Sequence, residues 1–251
     1  MPKFPLNPRL LASPLLASTC VAALLLGGAP ARAGQNITTP QASVTNPAGQ
    51  ATTSILITGT TVTGAVANAG TISPGTALVT RTVALAVTNS TIGGGISNTG
   101  TINASGGNDH FATSIVLTSS TVSGGITNGG TITTSDANVN RVNRAIGILI
   151  GNSTVSGGIA NTGTINRGAI NVSGVGFASG IGITVTTISG GIINTGAISV
   201  MASTTTNSGF ASAFGIDVND GVSVANGVTN TGSITVSGNG TAGSRTARAP
   251  M

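Results

Sequence analysis

One short motif recurs six times in this chain of 251 residues, and it limits the fold more than any other feature. The motif reads Gly-Gly-Ile-x-Asn-x-Gly-Thr-Ile in its clearest copies, at 94–102, 124–132 and 157–165. Its asparagine returns after 30, 30, 33, 33 and 36 residues, at Asn68, Asn98, Asn128, Asn161, Asn194 and Asn230. A near-constant period of this length is typical of repeat architectures, in which each copy is one supersecondary unit.

The segments between the motif copies are typical of β-strands. They are apolar runs rich in β-branched side chains, at 54–57, 83–87, 114–117, 145–150, 180–185 and 214–218. Several of them alternate with a period of two and are bounded by Gly, Asn and Ser, which indicates strands and turns. We therefore predict an all-β chain, a parallel β-helix solenoid of about six coils with 30–36-residue repeats. One coil per repeat, with three short strands, is the main interpretation, and two smaller coils per repeat is the alternative.

Stacked coils would place identical side chains in columns. Six isoleucines, each four residues after a motif asparagine, are expected to form a buried column: Ile72, Ile102, Ile132, Ile165, Ile198 and Ile234. The asparagines are expected to form a second column, since an amide can donate to one neighbour and accept from the other. The glycine two residues after each asparagine predicts a corner that needs either a positive φ or a close backbone approach.

The first 33 residues have the order of a secretory signal peptide. Two basic residues precede an interrupted apolar stretch at 10–26, and small residues follow a Gly-Gly-Ala-Pro break. We predict cleavage between Ala33 and Gly34. The alternatives are a membrane anchor, which Pro14 and several polar residues interrupt, and a lipoprotein attached through Cys20. In the mature chain we expect a cap or lead-in at 34–53, the β-helix repeats at 54–236 and a flexible tail at 237–251.

The composition excludes several classes of function. Charged residues make up 5 % of the chain, and loss of Lys3, Arg9 and Arg32 with the leader reduces the net charge from +5 to +2. Without clustered basic residues we expect no nucleic-acid partner. The single cysteine, Cys20, leaves with the leader, so no disulfide is expected in the mature chain.

Few residues could carry out chemistry. Asp217 and Asp220 are the one close carboxylate pair, and they predict a polar turn, with a calcium or catalytic site as the alternative. Asp109 precedes His110, the only histidine, and this pair indicates a surface loop. We therefore expect no enzymatic activity, cofactor or metal. Two alternatives stay open: an extracellular polysaccharide-active enzyme, and an ice-binding protein using a threonine array at Thr61, Thr91, Thr121, Thr154 and Thr187.

The repeat cores at 94–102, 124–132 and 157–165, behind a leader, resemble the passenger repeats of bacterial autotransporters, the type V secretion family. The resemblance spans roughly residues 54–236. It implies a right-handed β-helix that is exported to the cell surface, the outer membrane or the medium, with a structural or adhesive role. The expected partner is a cell-surface or matrix glycan or protein, or a second copy that associates through the solenoid ends. Membrane contact is expected only through the export machinery. The chain lacks a recognisable C-terminal translocator barrel, which predicts a passenger fragment, a truncated product or another export route.

Overall fold

The computed structural model describes residues 33–74, 81–106, 111–136, 143–172, 175–204, 210–219, 221–239 and 245–248. Every regular element in these ranges is a β-strand. Residues 1–32 of the leader, Asp109, His110 and Asp220 lie outside the described residues, so the predictions made for them have no structural counterpart here.

The strands follow one another in coils. A partial first coil contains β1 (Gln35–Ile37), β2 (Val44–Asn46) and β3 (Ala51–Thr52). The second contains β4 (Ile55–Thr58), β5 (Thr61–Val62), β6 (Val66–Asn68) and β7 (Thr71–Ile72). The third contains β8 (Thr82–Thr88), β9 (Thr91–Ile92), β10 (Ile96–Asn98) and β11 (Thr101–Gly106). The fourth contains β12 (Phe111–Thr118), β13 (Thr121–Val122), β14 (Ile126–Asn128) and β15 (Thr131–Asp136).

Three further complete coils and a last strand end the described chain. The fifth coil contains β16 (Asn143–Gly151), β17 (Thr154–Val155), β18 (Ile159–Asn161) and β19 (Thr164–Val172). The sixth contains β20 (Val175–Thr184), β21 (Thr187–Ile188), β22 (Ile192–Asn194) and β23 (Ala197–Thr204). The seventh contains β24 (Phe210–Val218), β25 (Ser223–Val224), β26 (Val228–Asn230) and β27 (Ser233–Asn239), and β28 (Arg245–Arg248) follows.

Equivalent strands of successive coils pair in parallel and form four sheets. In the order in which each coil visits them, sheet I is β1-β4-β8-β12-β16-β20-β24-β28 and sheet II is β5-β9-β13-β17-β21-β25. Sheet III is β2-β6-β10-β14-β18-β22-β26 and sheet IV is β3-β7-β11-β15-β19-β23-β27. The pairing register equals one repeat, as in Asn98 opposite Asn128. The structure is therefore a parallel β-solenoid, as predicted, with one coil per repeat.

One expectation about the coils was wrong. Each complete coil has four strands and not three, because a two-residue strand such as Thr91–Ile92 forms a sheet of its own. A segment of two residues is too short to show an alternation with a period of two. Within the segment expected to be a flexible tail, residues 245–248 pair with β24. At the other end, the segment expected to be a cap or lead-in forms strands β1 to β3 and pairs with the second coil.

The interior is a narrow aliphatic core shared by all four sheets. The isoleucine column lies in sheet IV with its members in register, and it is fully buried from Ile72 to Ile198, while Ile234 in the last coil is half-buried. Sheet I makes room for these side chains with glycines. A Cβ added at Gly147 would lie 2.6 Å from Ile165 Cγ2, and one at Gly180 would lie 2.5 Å from Ile198 Cγ2. The core is thus packed by columns that fit between neighbouring coils.

Candidate functional site

A ladder of asparagine amides runs along sheet III. In each step the Nδ2 of one asparagine donates to the Oδ1 of the next, at 2.7 or 2.8 Å. The ladder joins all six asparagines predicted from the sequence in a single file: Asn68, Asn98, Asn128, Asn161, Asn194 and Asn230. The first member, Asn46, was not predicted, because it precedes Asn68 by only 22 residues and breaks the 30-residue period.

Each ladder amide from Asn46 to Asn194 also donates to neighbouring backbone carbonyls. Asn98 Nδ2 lies 3.3 Å from the carbonyl oxygen of Gly100 in its own coil and 3.4 Å from that of Thr131 in the next coil. The amides from Asn46 to Asn194 are buried, whereas Asn230 is exposed. A buried amide with these partners stabilises the coil stack, since an unpaired one would cost the desolvation of its polar groups.

The glycine two residues after each ladder asparagine from Asn68 to Asn230 is required by close backbone approach. A Cβ on Gly100 would lie 2.0 Å from the carbonyl oxygen of Gly70, and one on Gly130 would lie 2.1 Å from that of Gly100. Neither glycine has a positive φ. The sequence was compatible with either a positive φ or a close backbone approach at this glycine, and the structure shows the close approach.

A different corner, between sheets I and II, needs the left-handed conformation. Asn89, Ser119, Asn152 and Val185 occupy equivalent positions there with φ of 49°, 50°, 49° and 44°. Asparagine tolerates this region, but a β-branched residue is a true outlier in it. Val185 therefore carries backbone strain, and its side chain is 58 % exposed.

The residues predicted to flank the signal cleavage site lie at the beginning of the described chain. The carbonyl oxygen of Ala33 accepts a hydrogen bond from Thr52 Oγ1 at 3.1 Å. Gly34 packs against Ser54, where a Cβ would lie 2.3 Å from Ser54 Oγ. A cut between Ala33 and Gly34 would leave β1 intact, because that strand begins at Gln35.

The acidic candidates do not form a cluster in the described part of the chain. Asp217 is half-buried near the end of β24, and its Oδ2 accepts a hydrogen bond from Asn219 Nδ2 at 3.1 Å. Asp136 ends β15. Among the described residues there is no group of three or more His, Cys, Asp or Glu side chains that could hold a metal ion.

The predicted threonine array lies on sheet II. Thr61, Thr91, Thr121, Thr154 and Thr187 are in register on neighbouring strands and are all exposed. The array is one threonine wide in this sheet, since each strand has only two residues and the second is buried.

The outer face of sheet I carries a column that the sequence reading missed. Phe111 pairs with Arg144 and Arg144 with Phe177, while Arg81 directly precedes Thr82, the partner of Ala112. We name Arg81, Phe111, Arg144 and Phe177 the Arg–Phe column. The sequence did contain a periodic pattern that predicts this column. The four residues follow one another after 30, 33 and 33 residues, which are the spacings of the ladder asparagines in the same coils.

Arg144 is the electrostatic centre of the Arg–Phe column. Its guanidinium carbon lies 5.2 Å from the centre of the Phe177 ring, a cation–π contact. The Phe177 and Phe214 rings are 5.3 Å apart. Burial lowers the pKa of Arg144 below its usual value, Asp217 acts in the opposite direction, and Arg81 adds to the lowering. Arg144 remains protonated, because an arginine begins from a very high pKa.

A groove lies beside the N-terminal end of this column. Its volume is about 420 Å³, and it is lined by Leu56, Arg81, Val83, Ala86 and Val116 with two threonines. The lining is apolar apart from the threonines and Arg81. The groove and the Arg–Phe column therefore form one continuous surface on sheet I.

A second arginine is buried in the interior. Arg167 is 1 % exposed and replaces the smaller Thr134 and Val200 of the neighbouring coils. Its Nε donates to the carbonyl oxygen of Ala145 at 3.2 Å, and its Nη1 donates to that of Met201. Backbone carbonyls thus solvate this cation inside the solenoid.

Comparison with known proteins gives no relative for this chain. No family, no curated protein and no solved structure matches it significantly. Within the described residues, no helix is long and apolar enough to cross a membrane.

Proposed function

We propose that the chain is an exported structural and adhesive β-solenoid without catalytic activity, displayed on a bacterial surface or released into the medium. The observation that carries this proposal is the uninterrupted ladder from Asn46 to Asn230. A rod whose coils are all held by the same contacts is suited to a spacer or stalk, since each repeat is stabilised by its neighbours.

The distribution of polar groups supports the proposal. Seven stacked coils span roughly 34 Å at about 4.8 Å between neighbouring strands. Along this length Asp217 is the one carboxylate with a described side chain, and it has a surface amide as its partner. Such a rod offers long faces for binding and few groups for acid–base catalysis. The autotransporter-like repeats, and the leader expected at 1–33, support export.

Export is tested by expressing the full chain, tagged at its C-terminus, in a Gram-negative host. We expect the protein to lose residues 1–33 and to be found at the cell surface or in the medium, where external protease reaches it. Ala33→Pro should block processing, because the small residue at the cleavage site would be lost. Retention of the unprocessed wild-type chain in the cytoplasm would contradict the proposal.

The threonine array favours ice binding as a second candidate function. Five exposed threonines in register repeat at about 4.8 Å along sheet II. Thermal hysteresis of the purified protein measures this activity directly. A clear freezing-point gap that Thr121→Val or Thr121→Lys removes would replace the adhesive proposal with this one, while no hysteresis would eliminate it.

A further inference from the structure

We propose that the Arg–Phe column and its groove bind an acidic polysaccharide chain that lies along the solenoid axis. This inference rests on the proposed function, because it names the ligand class that an adhesive rod would hold. The surface involved is the outer face of sheet I from Leu56 in β4 to Phe177 in β20, which belongs to five successive coils.

The spacing of the column suits a linear, repeating ligand. Neighbouring members are about 4.8 Å apart, so Arg81 and Arg144 are separated by about 10 Å along the axis, with Phe111 between them. The residues on the inner side of the same strands, such as Ala112, Ala145 and Ala178, are fixed in the core. The column is therefore held by a rigid sheet, which reduces the ordering cost of binding an extended chain.

Arg144 provides the charge that a uronic acid would neutralise. Its side chain is half-buried, and its buried Nε has no hydrogen-bond partner among the described residues. The fully buried Ser179 hydroxyl also has no partner in the described part of the chain, and it lies on this face beside Gly182. A partly desolvated guanidinium is a good partner for a carboxylate, which can accept two parallel hydrogen bonds from it.

The phenylalanines provide flat apolar surfaces for sugar rings. Phe111 is 40 % exposed, and Phe177 packs between Arg144 and Phe214. A pyranose has an apolar C–H face that can pack on an aromatic ring, while its substituents point sideways to the arginines. The groove, lined by Leu56 and Val116, extends this apolar track by one coil beyond Arg81.

The charge density of the face favours an acidic glycan over a nucleic acid. A nucleic-acid groove needs a run of basic residues to neutralise successive phosphates. The Arg–Phe column offers Arg81 and Arg144 with Asp217 nearby, so its field is weakly positive and is interrupted by a carboxylate. The other two arginines of sheet I, Arg245 and Arg248, lie in β28, two strands beyond Phe177. A sparsely charged polymer with carboxylates and apolar ring faces matches this pattern better.

The binding test uses the purified full chain with three polymers: polygalacturonate, its neutral methyl ester and single-stranded DNA. We expect binding to polygalacturonate, with at least about tenfold weaker binding for Arg144→Gln and for Phe111→Ala. The matched control is Thr127→Glu, on the exposed face of sheet III, which changes the net charge by the same amount as Arg144→Gln and should leave the affinity within about twofold.

Several results would overturn the inference. These are wild-type affinity in both column variants, equal loss of affinity in Thr127→Glu, no binding of polygalacturonate, or equal binding of the neutral polymer or of the DNA. Thermal unfolding of each variant shows whether it is folded. If Arg144→Gln does not fold, Phe111→Ala decides the outcome, because Phe111 is already partly exposed. The assay is independent of export, so lost binding contradicts this inference alone and failed export contradicts the proposed function alone.

Discussion

Sheet III and sheet I differ in how strictly the chain repeats. In sheet III the same asparagine occurs in all seven coils, from Asn46 to Asn230, and every step of its ladder has nearly the same length. On the outer face of sheet I, the equivalent positions change from Arg81 to Phe111, Arg144, Phe177 and Ser212. Identity between coils thus marks contacts that hold the stack, whereas variation marks a face that can become specific for a ligand.

The two regions also differ in how they tolerate insertions. The path from the end of a sheet I strand to the buried isoleucine has the same length in five coils, at 58–72, 88–102, 118–132, 151–165 and 184–198. The repeats become longer between sheet IV and the next strand of sheet I, except that the last coil also has two extra residues after Val218. We name the glycines two residues after the ladder asparagines the glycine column: Gly70, Gly100, Gly130, Gly163, Gly196 and Gly232. Close backbone packing at this column excludes extra residues, whereas a loop outside the columns accepts them at a small entropic cost.

The largest effect is expected at the glycine column. Gly130→Ala should destabilise the protein by about 3 kcal/mol or prevent folding, because its Cβ would lie 2.1 Å from a backbone carbonyl oxygen. Gly129→Ala is the matched control, since its Cβ would have no contact closer than 3.5 Å. Denaturant unfolding of both variants measures the difference. Equal unfolding midpoints would contradict the distinction between the closely packed glycine column and the parts of the chain that accept changes.

A smaller loss is expected from the ladder itself. Asn128→Leu removes the partner of the Asn161 amide oxygen and the shortest hydrogen bond of the Asn98 amide nitrogen, which should cost about 1–3 kcal/mol. Thr127→Leu, one residue away and exposed, should change stability by less than about 0.5 kcal/mol. Chemical denaturation compares the two leucine variants, and an unchanged midpoint for Asn128→Leu would show that the ladder does not stabilise the stack.

The smallest expected effect is a gain in stability at a corner. Val185→Asn should stabilise the protein by about 1 kcal/mol, because asparagine tolerates the left-handed conformation that Val185 adopts at φ 44°. The reverse change in the preceding coil, Asn152→Val, should destabilise by a similar amount, since Asn152 has φ 49°. Thermal unfolding measures both, and a loss of stability in Val185→Asn would contradict the strain assigned to this corner.

The asparagine and isoleucine columns could be predicted from the sequence, because identical residues at a near-constant period show which residues of neighbouring coils lie in register. Asn98 and Ile102 recur with a fixed offset of four residues, so one coil per repeat and two separate columns could be inferred. Asn46 was missed because the first coil is shorter than the others. The two-residue strands of sheet II were missed because they are too short to show alternation.

The candidate site was harder to predict, since it depends on contacts between different residues. Arg144 and Phe177 are 33 residues apart, and arginine alternates with phenylalanine from coil to coil, so no pattern of identity between neighbouring coils links them. The burial of Arg167 was equally hidden, because its partners are backbone carbonyls of Ala145 and Met201. Such pairs become visible only after the pairing register of sheets I and IV is known.

The register is the central claim, and engineered disulfides test it most directly. Ser97 and Thr127 pair side by side in sheet III, whereas Ser97 and Ala160 are two coils apart. Neighbouring parallel strands are about 4.8 Å apart, within reach of a disulfide, and strands two coils apart are not. With Cys20 changed to Ser, Ser97→Cys/Thr127→Cys should form an intramolecular disulfide in the folded protein, and Ser97→Cys/Ala160→Cys should keep free thiols. A disulfide in the second pair, or free thiols in the first, would contradict the stacking of one repeat on the next.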